Sequence, residues 1–347
     1  MVSANEASLL ITVSLVPLAI APIIYGYFLQ AVPARTILFF ATFLLAVNQA
    51  LFFWVDSFWQ MLMLRLLQGL LLPGIFTALM TYCSTMSVKE RVHQIIAWYV
   101  ATTILGGFSS RLFAGFIAEQ LGWRWVFVFV SVLLIFSLFL LRYIKADAVL
   151  DFSRLDIRSI RRVWSDRYYR HAYLALFFVF FVFAGMLNLL PFRLTDIAAD
   201  MGSFEISLYY LGYLIGIPIA VFSQKITRLL GGPKRALLMG LALNIVGLVF
   251  NVSENLALLW LTMLGFSAGM FFIHATLSGL LNVHAKEHKG VVNGMYVSIY
   301  YASGALGSWL PALFYLRFDW QSLMMASVLM VLVSGYFVAL MNRRSGC

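Results

Sequence analysis

The sequence predicts an all-α polytopic membrane protein with eleven transmembrane helices in two bundles of five and six. Three observations predict this class. First, charged residues make up 11% of the 347-residue chain and hydrophobic residues 63%. A soluble domain carries about 25% charged residues, so lipid must solvate most of the outer face. Second, the apolar residues fall in long blocks, many of 18 residues or more, a length that crosses a bilayer as a helix. Third, basic residues alternate between loops, as loops on two sides of a membrane require.

The blocks fall at 8–29, 36–55, 58–83, 92–118 and 123–143, then at 171–193, 205–226, 235–252, 256–283, 290–314 and 320–341. Nineteen of the 24 basic residues lie in one alternating set of connections and termini. Three, Arg124, Arg193 and Arg317, lie in the other, and Arg65 and Arg111 lie inside blocks. Positive residues stay on the cytoplasmic side, so the N-terminus is expected outside and the C-terminus in the cytoplasm. A missed or invented span would invert the pattern downstream. The block pattern divides the chain into an N-terminal bundle, 1–143, a cytoplasmic linker, 144–170, and a C-terminal bundle, 171–347. The linker mixes arginines with Asp147, Asp151, Asp156 and Asp166. It reads as a solvated connector holding a short amphipathic helix, with anionic lipid heads as the alternative contact.

The net charge of +10 sits in inner loops, so nucleic acid is not an expected partner. Cys83 and Cys347 stand far apart and give neither a disulfide framework nor metal-ligand spacing. No cofactor is expected. Motifs for zinc hydrolysis, a nucleophile elbow or a phosphate loop are absent, so no enzyme is expected.

The two halves resemble each other. ILGGFSSRLFAG at 104–115 and ASGALGSWLPAL at 302–313 are rich in small residues. Each is followed by an outer Trp, Trp123 or Trp320, and a further apolar run. Corresponding helices in two halves indicate parallel repeats.

With these features the chain resembles a major facilitator superfamily transporter. RLLQG, Arg65 to Gly69, is similar to the fourth-span motif of bacterial inner-membrane drug and metabolite exporters. GGFSSRLFAGFIAEQLGWRW, 106–125, is similar to their fifth-span region. GYFLQAVPAR, Gly26 to Arg35, occupies the place of the family's signature loop. It departs from that pattern, with Gln30 where Asp is expected and Ala31 where Arg is expected. The fifth-span Gly-Pro pair of many antiporters is also absent, Phe108 following Gly106 and Gly107. The family has twelve spans with both termini inside, so this chain corresponds to that pattern without its first span.

The resemblance implies transport of a small organic solute by alternating access, with protons as coupling ion and export of a drug or metabolite. Organic-anion uptake and an inactive truncated fragment are the alternatives. An inner-membrane location, lipid contact and a monomer are implied.

Intramembrane charges are expensive and face an interior. Arg65 and Arg111 lie inside their blocks at similar distances from the outer end. They read as substrate or gating residues, or as helix ties to carbonyls and hydroxyls. All fourteen acids lie in loops or at span ends, which leaves Arg65 without an evident counter-charge. His274, the histidine well inside a span, reads as a proton relay or as an interhelical hydrogen-bond group. Gln68 and Asn188 are candidate substrate or gating residues, and Asn244 and Asn293 read first as interhelical ties. Tyr300 stands with Trp98, Tyr99, Tyr301 and Trp309 on the blocks that border the family's cavity. Trp54, Trp59, Trp123 and Trp320 read as interfacial anchors. Gly26, Gly69, Gly106, Gly107, Gly115, Gly304 and Gly307 are candidate packing or bending positions.

Overall fold

The computed structural model describes residues 4–28, 32–85, 92–144, 157–285 and 289–341, and every regular element among them is helical. Helices α1 (Ala4–Phe28), α2 (Ala34–Leu51), α3 (Phe58–Thr85), α4 (Val92–Leu121) and α5 (Trp123–Leu141) cover the first five blocks. Helix α6 (Ile157–Ser165) lies within the connector, whose residues 145–156 fall outside the described set. Then follow α7 (Arg167–Ile197), α8 (Ser203–Leu208), α9 (Gly216–Leu229), α10 (Pro233–Phe250), α11 (Leu256–His284), α12 (Lys289–Arg317) and α13 (Trp320–Leu340). Among the described residues eight helical spans are long and apolar enough to cross a membrane. Helix α1 adds an apolar stretch over Asn5–Ile20. Helices α4 and α12 have sufficient length, but α4 carries Arg111, glycines and serines, and α12 carries tyrosines, serines and glycines. These polar and small residues make α12 less apolar than α11 and α13.

The helix ends follow local chemistry. Asp166 caps α7 by accepting the Tyr168 N–H at 2.8 Å, and Asn255 caps α11 by accepting the Leu258 N–H at 3.1 Å. Asp319 caps α13 by accepting the Ser322 N–H at 2.7 Å, which holds its carboxyl below the usual range. Gly122 alone joins α4 to α5, at φ 94°, a left-handed conformation that favours glycine. Gly231 and Gly232 end α9 in the same region, with Pro233 opening α10.

The block at 205–226 is not one regular helix. A 3-10 segment, Tyr209–Ile215, separates α8 from α9. Pro218 follows closely and has no N–H to give the Leu214 carbonyl, which instead accepts from Gly216. Gly212 and Gly216 lie against α11. A side chain at Gly212 would meet Leu264 N at 3.0 Å, and one at Gly216 would meet the Phe271 ring.

The chain forms two compact units. One comprises Met1–Leu9, Leu155–Met201 and Leu208–Cys347, the other Leu10–Arg154 and Gly202–Ser207. In the second of these, α5 shows lipid acting as solvent. Val132, Ile135, Phe136 and Phe139 are exposed while Ser131 is buried and donates to the Ala46 carbonyl at 2.8 Å. Small and polar residues face neighbouring helices because lipid competes only for apolar surface. Gly69 brings α3 against the backbone of α1 at Ser14.

In the first unit α7 meets α12 at Gly185 and Gly307. A side chain at Gly185 would stand 2.8 Å from the Gly307 carbonyl oxygen, and one at Gly307 would strike the Phe181 backbone. Tyr173, fully buried on α7, donates to the Val292 carbonyl at 2.9 Å. Helices α10 and α11 meet at Gly240 and Gly269, beside buried Asn244.

Trp320 departs from its expected interfacial role. It is buried, and its indole N–H donates to the Asn251 carbonyl at 2.9 Å. Trp54 and Trp59 are well exposed, as interfacial anchors are.

Candidate functional site

Two polar constellations stand within the apolar helices, one in each unit. The first centres on Arg65, one turn before Gly69 on α3. Its Nη1 donates to Gln68 Oε1 at 2.9 Å, so the i and i+3 residues of RLLQG act together on one helix face. Phe52, from the 3-10 turn after α2, and Phe127, on α5, stack on each other at 4.1 Å between centroids. The guanidinium carbon lies 5.3 Å from the Phe52 centroid and 5.2 Å from that of Phe127. The guanidinium thus packs beside the stacked rings, and among the described residues no carboxylate forms an ion pair with it. Buried Nε has no hydrogen-bond partner. The result is a desolvated cation held by rings and one amide, with donor capacity to spare.

Arg111 turns back along its own helix, with Nη1 donating to the Gly107 carbonyl at 2.7 Å. Gly115, one turn on, lies against Ser203 and Ser207, where a side chain would meet the Ser203 carbonyl oxygen at 2.6 Å. At Gly106 a side chain would meet no described atom within 4 Å. Gly26 lies in the last turn of α1, and the signature-loop residues 29–31 lie outside the described set.

The second constellation joins His274 on α11 to α12. Tyr296 Oη lies 2.8 Å from His274 Nδ1 and 3.2 Å from the His274 carbonyl oxygen. Tyr300, one turn along α12, brings its ring within 5.2 Å of the imidazole and stacks on Phe180 of α7 at 3.6 Å. Gly304, a turn further, admits that Phe180 ring, whose Cε1 would stand 2.8 Å from an added Cβ. Asn188 on α7 donates to the Ser308 carbonyl at 2.8 Å and to Ser8 Oγ at 2.7 Å. Asn244 bonds the Gly240 carbonyl, and Asn293 exchanges hydrogen bonds with Asn282 at 2.9 and 3.1 Å. The structure thus pairs Arg65 with Gln68 and His274 with Tyr300. It adds Phe52, Phe127, Phe180 and Tyr296, which carry no signal in sequence beyond being aromatic.

The family model described as Major Facilitator Superfamily matches residues 1–308. The chain belongs to that superfamily, and it is an integral membrane transporter. It is 24% identical over 346 residues to the Escherichia coli inner membrane transport protein YnfM, a match covering 98% of this chain and 82% of that protein. It is 22% identical over 344 residues to the uncharacterized MFS-type transporter YybF of Bacillus subtilis, covering 96% and 85%. Among solved structures, the nucleoside transporter NupG superposes with a TM-score of 0.81 at 10% identity, over 98% of this chain and 92% of that one. The human organic anion transporter MFSD10 superposes with a TM-score of 0.68 at 16% identity, over 96% and 83%. At these identities the structural likeness carries the fold alone.

Proposed function

We propose that the chain is a secondary transporter that exports a small organic solute by alternating access, coupled to protons across an inner membrane. Its C-terminus lies in the cytoplasm, and it works as a monomer. Residues 1–143 and 171–347 act as its two bundles, with 144–170 as linker. The observation that carries this reading is the Arg65–Gln68 pair of the exporter-like RLLQG segment, held inside the apolar helices by two phenyl rings. A charge kept there at such cost serves transport. Gln68, Arg111, Asn188, His274 and Tyr300 are the other residues assigned to substrate contact or gating. Gly69, Gly115, Gly304 and Gly307 hold helices close, and Gly26, Gly106 and Gly107 supply bending.

One observation favours a second reading. Arg65 Nε lacks a hydrogen-bond partner, and an anionic solute would supply both acceptor and counter-charge. Organic-anion uptake is therefore the alternative. Energised everted vesicles separate the two, with ethidium and radiolabelled p-aminohippurate as probes. Export predicts accumulation of ethidium that collapses with protonophore. Uptake predicts anion movement alone, and neither movement would overturn both readings.

A further inference from the structure

The pair of contacts at Tyr296 fixes more than a packing arrangement. A phenol has one proton to donate and lone pairs to accept with. Its oxygen lies within bonding distance of both His274 Nδ1 and the His274 carbonyl oxygen. The carbonyl can only accept, so for both contacts to be hydrogen bonds the phenol proton points there. The phenol oxygen then accepts from Nδ1, which must carry the ring proton. In a neutral imidazole the other nitrogen is left with its lone pair. Both contacts are satisfied together only in this tautomer.

We infer that His274 is the proton-binding residue of its unit, that its Nε2 takes the proton, and that Tyr296 is the positioning residue that keeps Nε2 bare. The inference rests on the proton-coupled reading above and names the group that carries the proton. Uptake balances simply. A proton from water bonds to the Nε2 lone pair, Nδ1–H and its bond to Tyr296 stay in place, and the ring gains one positive charge. No heavy atom has to move and no hydrogen bond is broken.

The surroundings suit a reversible charge. His274 itself is half-buried. From α12 it faces Tyr296 and Tyr300, and behind Tyr300 α7 presents Phe180. The 3-10 segment before α9 places Tyr213 against Phe271 on α11. Charged residues on the helices packed against α11 stand within two turns of helix ends. Among the described residues of these helices no carboxylate therefore stands beside the imidazole, and the two tyrosine rings pack against it.

Nitrogen NMR of the full chain in lipid nanodiscs, labelled at its five histidines, tests this directly. The His274 signal is identified by its loss in H274Q. If H274Q fails to insert, a chain with the other four histidines replaced isolates the same signal. At pH 8 the expected spectrum has protonated Nδ1 and bare Nε2, and Nε2 gains its proton as the pH is lowered. Y296F is expected to release the tautomer, populating Nε2–H at pH 8. Nε2–H in the unaltered chain at pH 8, a bare Nε2 throughout the titration, or an unchanged tautomer in Y296F would each overturn the inference. Ethidium transport in everted vesicles separates it from the coupling reading. H274Q is expected to lose gradient-driven accumulation while retaining gradient-free exchange, and full gradient-driven accumulation in H274Q overturns the inference. Titration of Nε2 without any gradient-driven ethidium movement supports the proton site and overturns the coupling reading.

Discussion

Replacing Gly307 with alanine adds one methyl group where α12 crosses α7. That methyl would fall within 3 Å of the Phe181 carbonyl oxygen, carbonyl carbon and Cα, all of them backbone atoms. Backbone cannot swing aside as the end of a side chain can, so the helices must part. Overpacking of this kind costs about 1–3 kcal/mol. Alanine recovers about 1 kcal/mol of helix propensity over glycine, which leaves a net loss of up to about 2 kcal/mol. Gly106→Ala is the control, because its methyl meets no described atom within 4 Å. That variant carries the propensity gain without the clash. Thermal unfolding of the two purified variants in detergent, followed by tryptophan fluorescence, measures the difference. Gly307→Ala should melt well below Gly106→Ala. Equal melting temperatures would refute the argument from backbone contact.

Three further outcomes follow from individual contacts. Arg65→Met should leave stability within about 1 kcal/mol, since a buried charge gives way to an apolar chain of similar length, yet abolish transport; thermal melting and vesicle assays read the two separately. Trp320→Phe removes the indole N–H that bonds the Asn251 carbonyl, and should cost about 1–3 kcal/mol in detergent unfolding. Asp319→Ala should speed hydrogen exchange at Ser322, whose N–H it leaves without its acceptor. Because the folded state holds the Asp319 carboxyl below its reference value of 3.8, its contribution is present above that value and is lost as pH falls through the folded value. In the unaltered chain the protection of Ser322, its exchange rate relative to the intrinsic rate at each pH, should fall only in that acidic window.

Much of this was legible because membrane helices announce themselves by composition. All eleven apolar blocks fall on helices, although Tyr209–Ile215 interrupts one of them. That interruption depends on a missing N–H at Pro218, which block length does not register. Gln68 lies one turn from Arg65, so their pairing is visible in a single helix face. The rings that complete the cage, Phe52 and Phe127, come from two other elements, and nothing in their spacing distinguishes them from other phenylalanines facing lipid. His274 and Tyr296 are separated by 22 residues and meet only because α11 and α12 pack together. Trp320 shows the opposite limit. Its place at a helix start suggested an interfacial anchor, but the Asn251 carbonyl that captures it lies 69 residues away.

The central claim, proton-coupled export, is tested most directly with purified protein in liposomes holding a trapped pH dye. An imposed proton gradient should drive ethidium accumulation, and an imposed ethidium gradient should in turn move protons and shift the dye, both effects vanishing in Arg65→Met. Ethidium movement that ignores the proton gradient and leaves the dye unchanged would contradict the account.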